Sequence, residues 1–192
     1  MRRLQESFFA GGRTEDIAKR LIGMRLVSNS GGPRTAGIIV ETEAYLRDDP
    51  ACHASRGKTN RNGSMFLSPG HSYVYLIYGM HHCFNVVTAP HGVGEAVLIR
   101  AIEPTDGIEA MSLRRNTAAI GKLANGPGKL CQAMGIDKSL DRQPLWKSAL
   151  LYIEEGECRK YGIASSERVG ISSGKDLLLR YFLEGSPYVS RL

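Results

Sequence analysis

The sequence predicts an α+β fold with a largely antiparallel β-sheet. Segments with the two-residue alternation of strands outnumber the amphipathic helical segments, and short turns join neighbouring strands into hairpins. No fixed-period repeat, low-complexity tract or linker divides the 192 residues. Because a chain of this length can bury one sizeable core, we expect residues 1–192 to form a single domain.

The first elements are a helix and a hairpin. Thr14 precedes two acidic residues and an apolar set at helical spacing, which predicts a helix that Thr14 caps. Leu26 and Val27 then lead into the turn sequence Ser-Asn-Ser-Gly-Gly-Pro at residues 28–33. The segment that follows the turn predicts the return strand of a hairpin.

The stretch Val40 to Tyr45 in this return strand has an unusual face. Side chains alternate along a strand, so Glu41, Glu43 and Tyr45 point to the same side of the sheet. Two carboxylates and a phenol suit the wall of a cleft, although an ordinary half-exposed strand would also accommodate them. Either glutamate could serve as a general base.

A long polar loop and a second hairpin follow. Residues 46–64 lack apolar periodicity, and loops of this length are commonly functional or mobile. Two β-rich runs, 72–78 and 82–87, predict a hairpin whose tip carries Tyr78, Met80 and His81. Bulky side chains at an exposed tip favour insertion between base steps or burial in a partner. Residues 95–102 predict another strand.

The second half of the chain predicts two helices and three more strands. Asp106 and Glu109 form a capping-box pattern ahead of an apolar run. Pro127 fits the first position of a helix that runs through Met134 and that Gly135 closes. The run from Asn125 to Leu130 suits either an anion-binding turn or a simple helix entry. Strand-like runs follow at Ala149 to Ile153, Arg168 to Ile171 and Leu177 to Leu183.

Composition narrows the class of partner. The formal net charge of +6 and the pI near 9.3 favour a polyanion such as nucleic acid. No apolar run reaches the length of a membrane span, and the first residues do not resemble a signal peptide, so we expect an intracellular protein without membrane association. The cysteines form no CxxC pair, which predicts inert or buried thiols and no metal site; they are Cys52, Cys83, Cys131 and Cys158.

Four of the eight tyrosines lie in the strands around the polar loop. Tyr45, Tyr73, Tyr75 and Tyr78 are close in sequence to several Lys and Arg residues. Aromatic rings combined with cations suit the stacking of unpaired bases, whereas the alternative is ordinary packing against the sheet. The sequence has no Gly-rich phosphate motif, serine nucleophile elbow or HExxH motif.

Taken together, these motifs resemble the alkyladenine (3-methyladenine) DNA glycosylase family of the non-helix-hairpin-helix type. The similarity extends over nearly the whole chain in the family's order. The matching segments are VETEAY at 40–45, HAS at 53–55, NGSMF at 62–66, YVYLIYGM at 73–80, CFN at 83–85, LIRAIEP at 98–104, residues 126–133, RVG at 168–170 and GSPYVS at 185–190.

The resemblance implies roles for particular residues. Glu43 would activate the water that attacks the sugar, while Arg100 and the carbonyl of Val169 would position that water. Glu41 would remain as support or as an exposed charge. The implied base pocket consists of Tyr45, His53, Tyr75 and Asn85, with Asn85 disfavouring normal guanine. The implied DNA-intercalating residues are Tyr78 and Met80.

The resemblance also implies a curved sheet with a protruding hairpin, and a monofunctional base-excision repair enzyme. Such an enzyme flips a damaged purine, alkylated or deaminated, out of double-stranded DNA and hydrolyses its N-glycosidic bond. We expect a monomer that requires neither cofactor nor metal and that, if it is bacterial, works in the cytoplasm at the nucleoid. The rival class is a non-catalytic damage-sensing or RNA-binding module on the same fold.

Overall fold

The computed structural model describes residues 1–156 and 162–190. Cys158 lies outside the described residues. Within them, the α-helices are Glu6–Ala10 (α1), Thr14–Leu21 (α2), Ile108–Arg115 (α3) and Pro127–Met134 (α4). The strands are Arg25–Ser28 (β1), Thr35–Tyr45 (β2), Ser72–Ile77 (β3), His81–Val87 (β4), Ala96–Asp106 (β5), Leu151–Glu154 (β6), Ile163–Ser166 (β7) and Arg180–Leu183 (β8).

The strands form one curled antiparallel sheet, which confirms the predicted α+β class. The main path runs β3-β4-β5-β2-β1-β6, and β8 joins β2 while pairing with β7. Both predicted hairpins are confirmed, since β1 pairs with β2 and β3 pairs with β4. No helix in the described ranges has the length and apolarity needed to cross a bilayer.

Strand β2 lies at the centre of this arrangement. One of its edges pairs with β5, while the other pairs first with β1 and then, at residues 41–43, with β8. Its register against β5 shifts near Glu41, where an irregularity interrupts the ladder. Such irregularities bend a strand and redirect its side chains. The glutamate-bearing end of β2 is therefore enclosed by strands on both sides.

Two apolar clusters support the sheet. The larger packs α2 and α4 against the sheet through buried residues such as Ile17, Leu21, Leu130 and Met134. The smaller, which we call the loop cluster, joins the polar loop to β3, β4 and β5 and consists of Cys52, Ala54, Met65, Phe66, Tyr73, Val87 and Ala96. Tyr45 and Tyr75 pack against the loop cluster, so the long loop is anchored beside the strand tyrosines.

Two capping predictions are wrong, although both helices exist. Thr14 does not cap α2: its hydroxyl lies 2.8 Å from the Thr88 hydroxyl and donates to Glu95 at 2.5 Å. Asp106 belongs to β5, and its carboxylate pairs with Arg25 instead of capping α3. In both cases the side chain binds a partner distant in sequence instead of the backbone N–H groups at the start of the helix.

The tail differs from prediction as well. Residues 168–171 form a bend between β7 and β8, and strand β8 occupies only Arg180–Leu183 of the run predicted from Leu177. The bend is favoured because Arg168 turns into the interior and its neighbour Val169 binds a side chain of β2. The helix entry at Pro127 and the closing Gly135, with φ 64°, are confirmed.

Candidate active site

The carboxylate of Glu43 is buried and held from three sides. Its Oε1 accepts a hydrogen bond from the backbone N–H of Val169 at 2.7 Å and lies 3.2 Å from Nη1 of Arg100. Its Oε2 accepts from the Tyr45 hydroxyl at 2.8 Å. Charge-assisted hydrogen bonds of this kind fix the position of a carboxylate. A fixed carboxylate next to a cavity can serve as a base for water.

Glu41 is also fully buried, so its interpretation as an exposed charge is wrong. Its Oε1 accepts from Nε of Arg100 at 2.9 Å and from Nε of Arg180 at 2.7 Å, and its Oε2 accepts from the Ser190 N–H at 2.6 Å. Burial acts to raise the pKa of Glu41, but Arg100, the Ser190 amide and Arg180 together lower it. Glu41 therefore supports the site as an anion that orients Arg100.

A cavity of about 480 Å³ opens beside these carboxylates. Most predicted site residues line it, namely Tyr45, His53, Tyr75, Tyr78, Asn85, Arg100 and Val169. Glu43 lies behind this wall, in contact with Tyr45, Arg100 and Val169. Met80 does not line the cavity and instead borders a neighbouring depression of about 380 Å³. Apart from Met80, the structure brings the predicted residues together.

The cavity has an aromatic side. His53 keeps part of its surface exposed, its Nδ1 lies 2.9 Å from the Tyr73 hydroxyl, and its ring meets Tyr75 edge-on at a centroid distance of 4.6 Å. Enclosure of the His53 ring and the charge of Arg61 lower the pKa of His53, which favours the neutral imidazole. Burial raises the pKa of Tyr45 and of Tyr75, so both rings stay uncharged.

Asn85 closes the cavity on strand β4. It is 4% exposed, and its Nδ2 donates to the carbonyl of Tyr73 at 3.0 Å on the paired strand. This hydrogen bond fixes the amide plane at the cavity wall. An amide held in this way can discriminate between bases by shape and by hydrogen bonding.

The tip of the β3–β4 hairpin projects into solvent. Tyr78 is 82% exposed and Met80 is 70% exposed. Tyr78 and Gly79 both have positive φ, at 53° and 70°, as a type I′ turn requires. The ring of His81 packs against Gly128 at the start of α4, where an added Cβ would lie 3.1 Å from the Cβ of His81. The start of α4 therefore braces the base of the tip.

Sequence reasoning missed two contributors to the site. Tyr73 was identified only as one of several strand tyrosines, yet its hydroxyl binds the His53 ring. Arg168 was interpreted as a strand residue, yet its guanidinium is buried, pairs with Asp49 and lies 4.7 Å from the centre of the Tyr45 ring. A charged residue directly before Val169 was the only sequence feature that could have indicated this role for Arg168. Alternation patterns do not reveal its partner Asp49, which lies more than 100 positions away.

The described cysteines and histidines offer no metal centre. Cys52, Cys83 and Cys131 are buried free thiols. Across residues 1–156 and 162–190, the His, Cys, Asp and Glu side chains form no group of three that could hold a metal ion.

Comparison with known proteins places this chain in a family. The family model described as methylpurine-DNA glycosylase (MPG) matches residues 7–187. Proteins named "Putative 3-methyladenine DNA glycosylase" are similar along almost their full length. The protein of Carboxydothermus hydrogenoformans is 48% identical over 91% of this chain and 92% of its own. The protein of Methanoculleus marisnigri is 49% identical over 93% of this chain and 94% of its own.

The relative from Clostridium tetani extends the match further, with 44% identity over 98% of this chain and 99% of its own. The matched range, residues 7–187, includes the buried glutamates, the residues that line the cavity and the hairpin. The chain belongs to the methylpurine-DNA glycosylase family.

Proposed function

We propose that this protein is a monofunctional base-excision repair glycosylase, which flips a damaged purine out of duplex DNA and hydrolyses its N-glycosidic bond. The observation that carries this proposal is the buried Glu43 carboxylate, held against the wall of an aromatic cavity by Tyr45, Arg100 and Val169. A cavity of about 480 Å³ lies within the range of small-molecule sites, so one base can enter.

In the proposed reaction Glu43 acts as general base. A water molecule gives a proton to the Glu43 carboxylate while its oxygen bonds to C1′ of the sugar. The C1′–N bond breaks, and its electron pair leaves with the purine. The transition state resembles an oxocarbenium ion, which a nearby carboxylate stabilises. Arg100 and the carbonyl of Val169 would hold the water, and the Arg100 guanidinium also keeps Glu43 in place.

The base itself would stack between Tyr45 and Tyr75, beside His53 and Asn85. Stacking on aromatic faces is tolerant of sequence, and a cationic alkylpurine gains cation–π attraction in addition. We expect Tyr78 to fill the gap that the flipped base leaves and Met80 to widen the neighbouring base step, since both are exposed at the hairpin tip.

The charge distribution supports a DNA partner. Arg56, Lys58 and Arg61 are exposed on the loop that borders the cavity, and the whole chain carries a formal net charge of +6. Contacts of this type with phosphates supply affinity that does not depend on base sequence. We further propose that residues 1–192 act as one domain and one monomer, inside the cell where chromosomal DNA is found.

The decisive experiment compares Glu43→Gln with the wild type on duplexes that contain 3-methyladenine or hypoxanthine. We expect the variant to lose base release while it keeps affinity for the lesion-bearing duplex, because the amide cannot accept the proton. Glu109→Gln, an exposed change on α3, is the matched control and should leave excision unchanged. Base release by Glu43→Gln at the wild-type rate would refute the role of Glu43. Tight lesion binding without base release by the wild type would favour the damage-sensing module.

A further inference from the structure

A buried ion pair lies behind the Tyr45 ring. The side chain of Arg168 is 0% exposed and that of Asp49 is 1% exposed. Nη2 of Arg168 donates to Oδ1 of Asp49 at 2.9 Å, and Nη1 donates to Oδ2 of Asp49 and to the Ala44 carbonyl. The pair joins the polar loop to the bend after β7, which form two walls of the cavity.

The guanidinium covers the outer face of Tyr45. Its Cζ lies 4.7 Å from the centre of the ring, close enough for a cation–π contact. Tyr45 lines the cavity, whereas Arg168 is buried and does not. The ring therefore separates the guanidinium from the cavity, and a base stacked on its inner face would lie roughly 8 Å from the guanidinium.

Charge balance around the ring depends on Asp49. Two further carboxylates, Glu41 and Glu43, face two guanidiniums, Arg100 and Arg180, and these four charges cancel. Asp49 cancels Arg168 in the same way. Loss of the Asp49 charge would thus leave one net positive charge directly behind the stacking ring. In a buried setting such a charge is poorly screened.

We propose that Asp49 is a specificity-determining residue, which neutralises Arg168 so that the Tyr45 ring can accept a purine with a positive charge. This inference rests on the proposed glycosylase function. A neutral purine stacks on the ring whether or not the charge behind it is balanced. A cationic purine is repelled when the charge is unbalanced, because the guanidinium then acts through the ring without its counter-ion.

The experiment measures two single-turnover rates on each protein preparation. The first is the release of 3-methyladenine from a methylated duplex, and the second is the release of hypoxanthine from an otherwise identical duplex. The spontaneous loss of each base is subtracted. A 3-methyladenine nucleotide is cationic and hypoxanthine is neutral. For Asp49→Asn we expect the ratio of the cationic to the neutral rate to fall by about tenfold or more, given the separation and an interior screening of ε about 20. This ratio does not depend on the fraction of the sample that is folded.

Two matched variants separate charge from geometry. Arg168→Met removes the cation, so the ratio should not fall below the wild-type value. Arg168→Lys keeps the charge but breaks the paired hydrogen bonds, so both rates should fall while the ratio stays within about twofold. The double change Asp49→Asn with Arg168→Met should restore the wild-type ratio.

The proposal is overturned if Asp49→Asn lowers both rates without changing the ratio, or if Arg168→Met or Arg168→Lys lowers the ratio as Asp49→Asn does. Either result would assign a purely structural role to the pair. If the wild type released neither base, the proposed function itself would fail, which is a different outcome from an unchanged ratio in an active enzyme.

Discussion

Replacement of Tyr78 by Asn should make the protein more stable and less active. Tyr78 holds a left-handed backbone with φ 53° at the hairpin tip, where its side chain is 82% exposed. A residue with a Cβ is strained in this region, and Asn tolerates it better than an aromatic residue does. Little packing is lost on substitution because the ring contacts mainly solvent.

The expected gain follows from the strain. A non-glycine residue in the left-handed region costs about 1–3 kcal/mol, of which Asn should recover about 1 kcal/mol. For a chain of this size, that gain raises the melting temperature by about 2–4 °C. Activity should change in the opposite direction. Stacking of one aromatic ring on bases contributes about 1–3 kcal/mol, so excision from duplex DNA should fall by roughly 5- to 150-fold.

Thermal unfolding and single-turnover excision on duplex and single-stranded substrates test both expectations. Tyr78→Phe is the control, since it keeps the ring and the strain and should resemble the wild type in both assays. Single-stranded DNA has no gap to fill, so its excision should be far less affected by Tyr78→Asn. A variant that is less stable than the wild type, or that excises from duplex at full rate, would contradict this reasoning.

Two further predictions concern buried groups. Glu41→Gln should lower the free energy of unfolding by about 3–5 kcal/mol at pH 7 in urea titrations, because Arg100 and Arg180 lose their shared carboxylate. Since the pKa of Glu41 is lowered in the folded state, this contribution is complete above the ordinary carboxyl pKa of 4.5 and disappears as the pH falls through the lowered value. The difference between wild type and variant should therefore narrow in acid, and a constant difference would argue against an ionised Glu41. Burial raises the pKa of the Cys52 thiol to about 11, so iodoacetamide at pH 8 should leave Cys52 unmodified in the native protein but alkylate it in urea, as peptide mass spectrometry can measure. Rapid native labelling would contradict the buried position.

The sequence predicted the candidate active-site face of β2 because alternation is a local property. Glu43 and Tyr45 were expected to share a side of the strand, and their side chains are hydrogen-bonded at 2.8 Å. The β3–β4 hairpin and the helix entry at Pro127 were predictable for the same reason, since each depends on neighbouring residues.

Features that depend on distant partners could not be predicted in this way. Asp106 has the spacing of a capping box, but its carboxylate forms an ion pair with Arg25 on another strand. Glu41 and Glu43 are equivalent in a strand pattern. Their environments differ only in the folded protein. There Glu41 accepts hydrogen bonds from Arg180 and Ser190, whereas Glu43 accepts one from the Val169 amide. Long-range ion pairs and backbone contacts leave no periodic trace in the chain.

The partners of the two buried glutamates have a consequence for the order in which the site forms during synthesis. Glu41 and Glu43 leave the ribosome early, whereas the Val169 amide and the Ser190 amide that hold them follow 126 and 149 positions later. Until then the carboxylates must stay hydrated, because burying them unpaired would be prohibitively unfavourable. A nascent chain therefore cannot complete the cavity wall in front of Glu43 before these amides are available. Base-cleaving capacity should therefore appear only after the segments that carry Val169 and Ser190 have docked against β2.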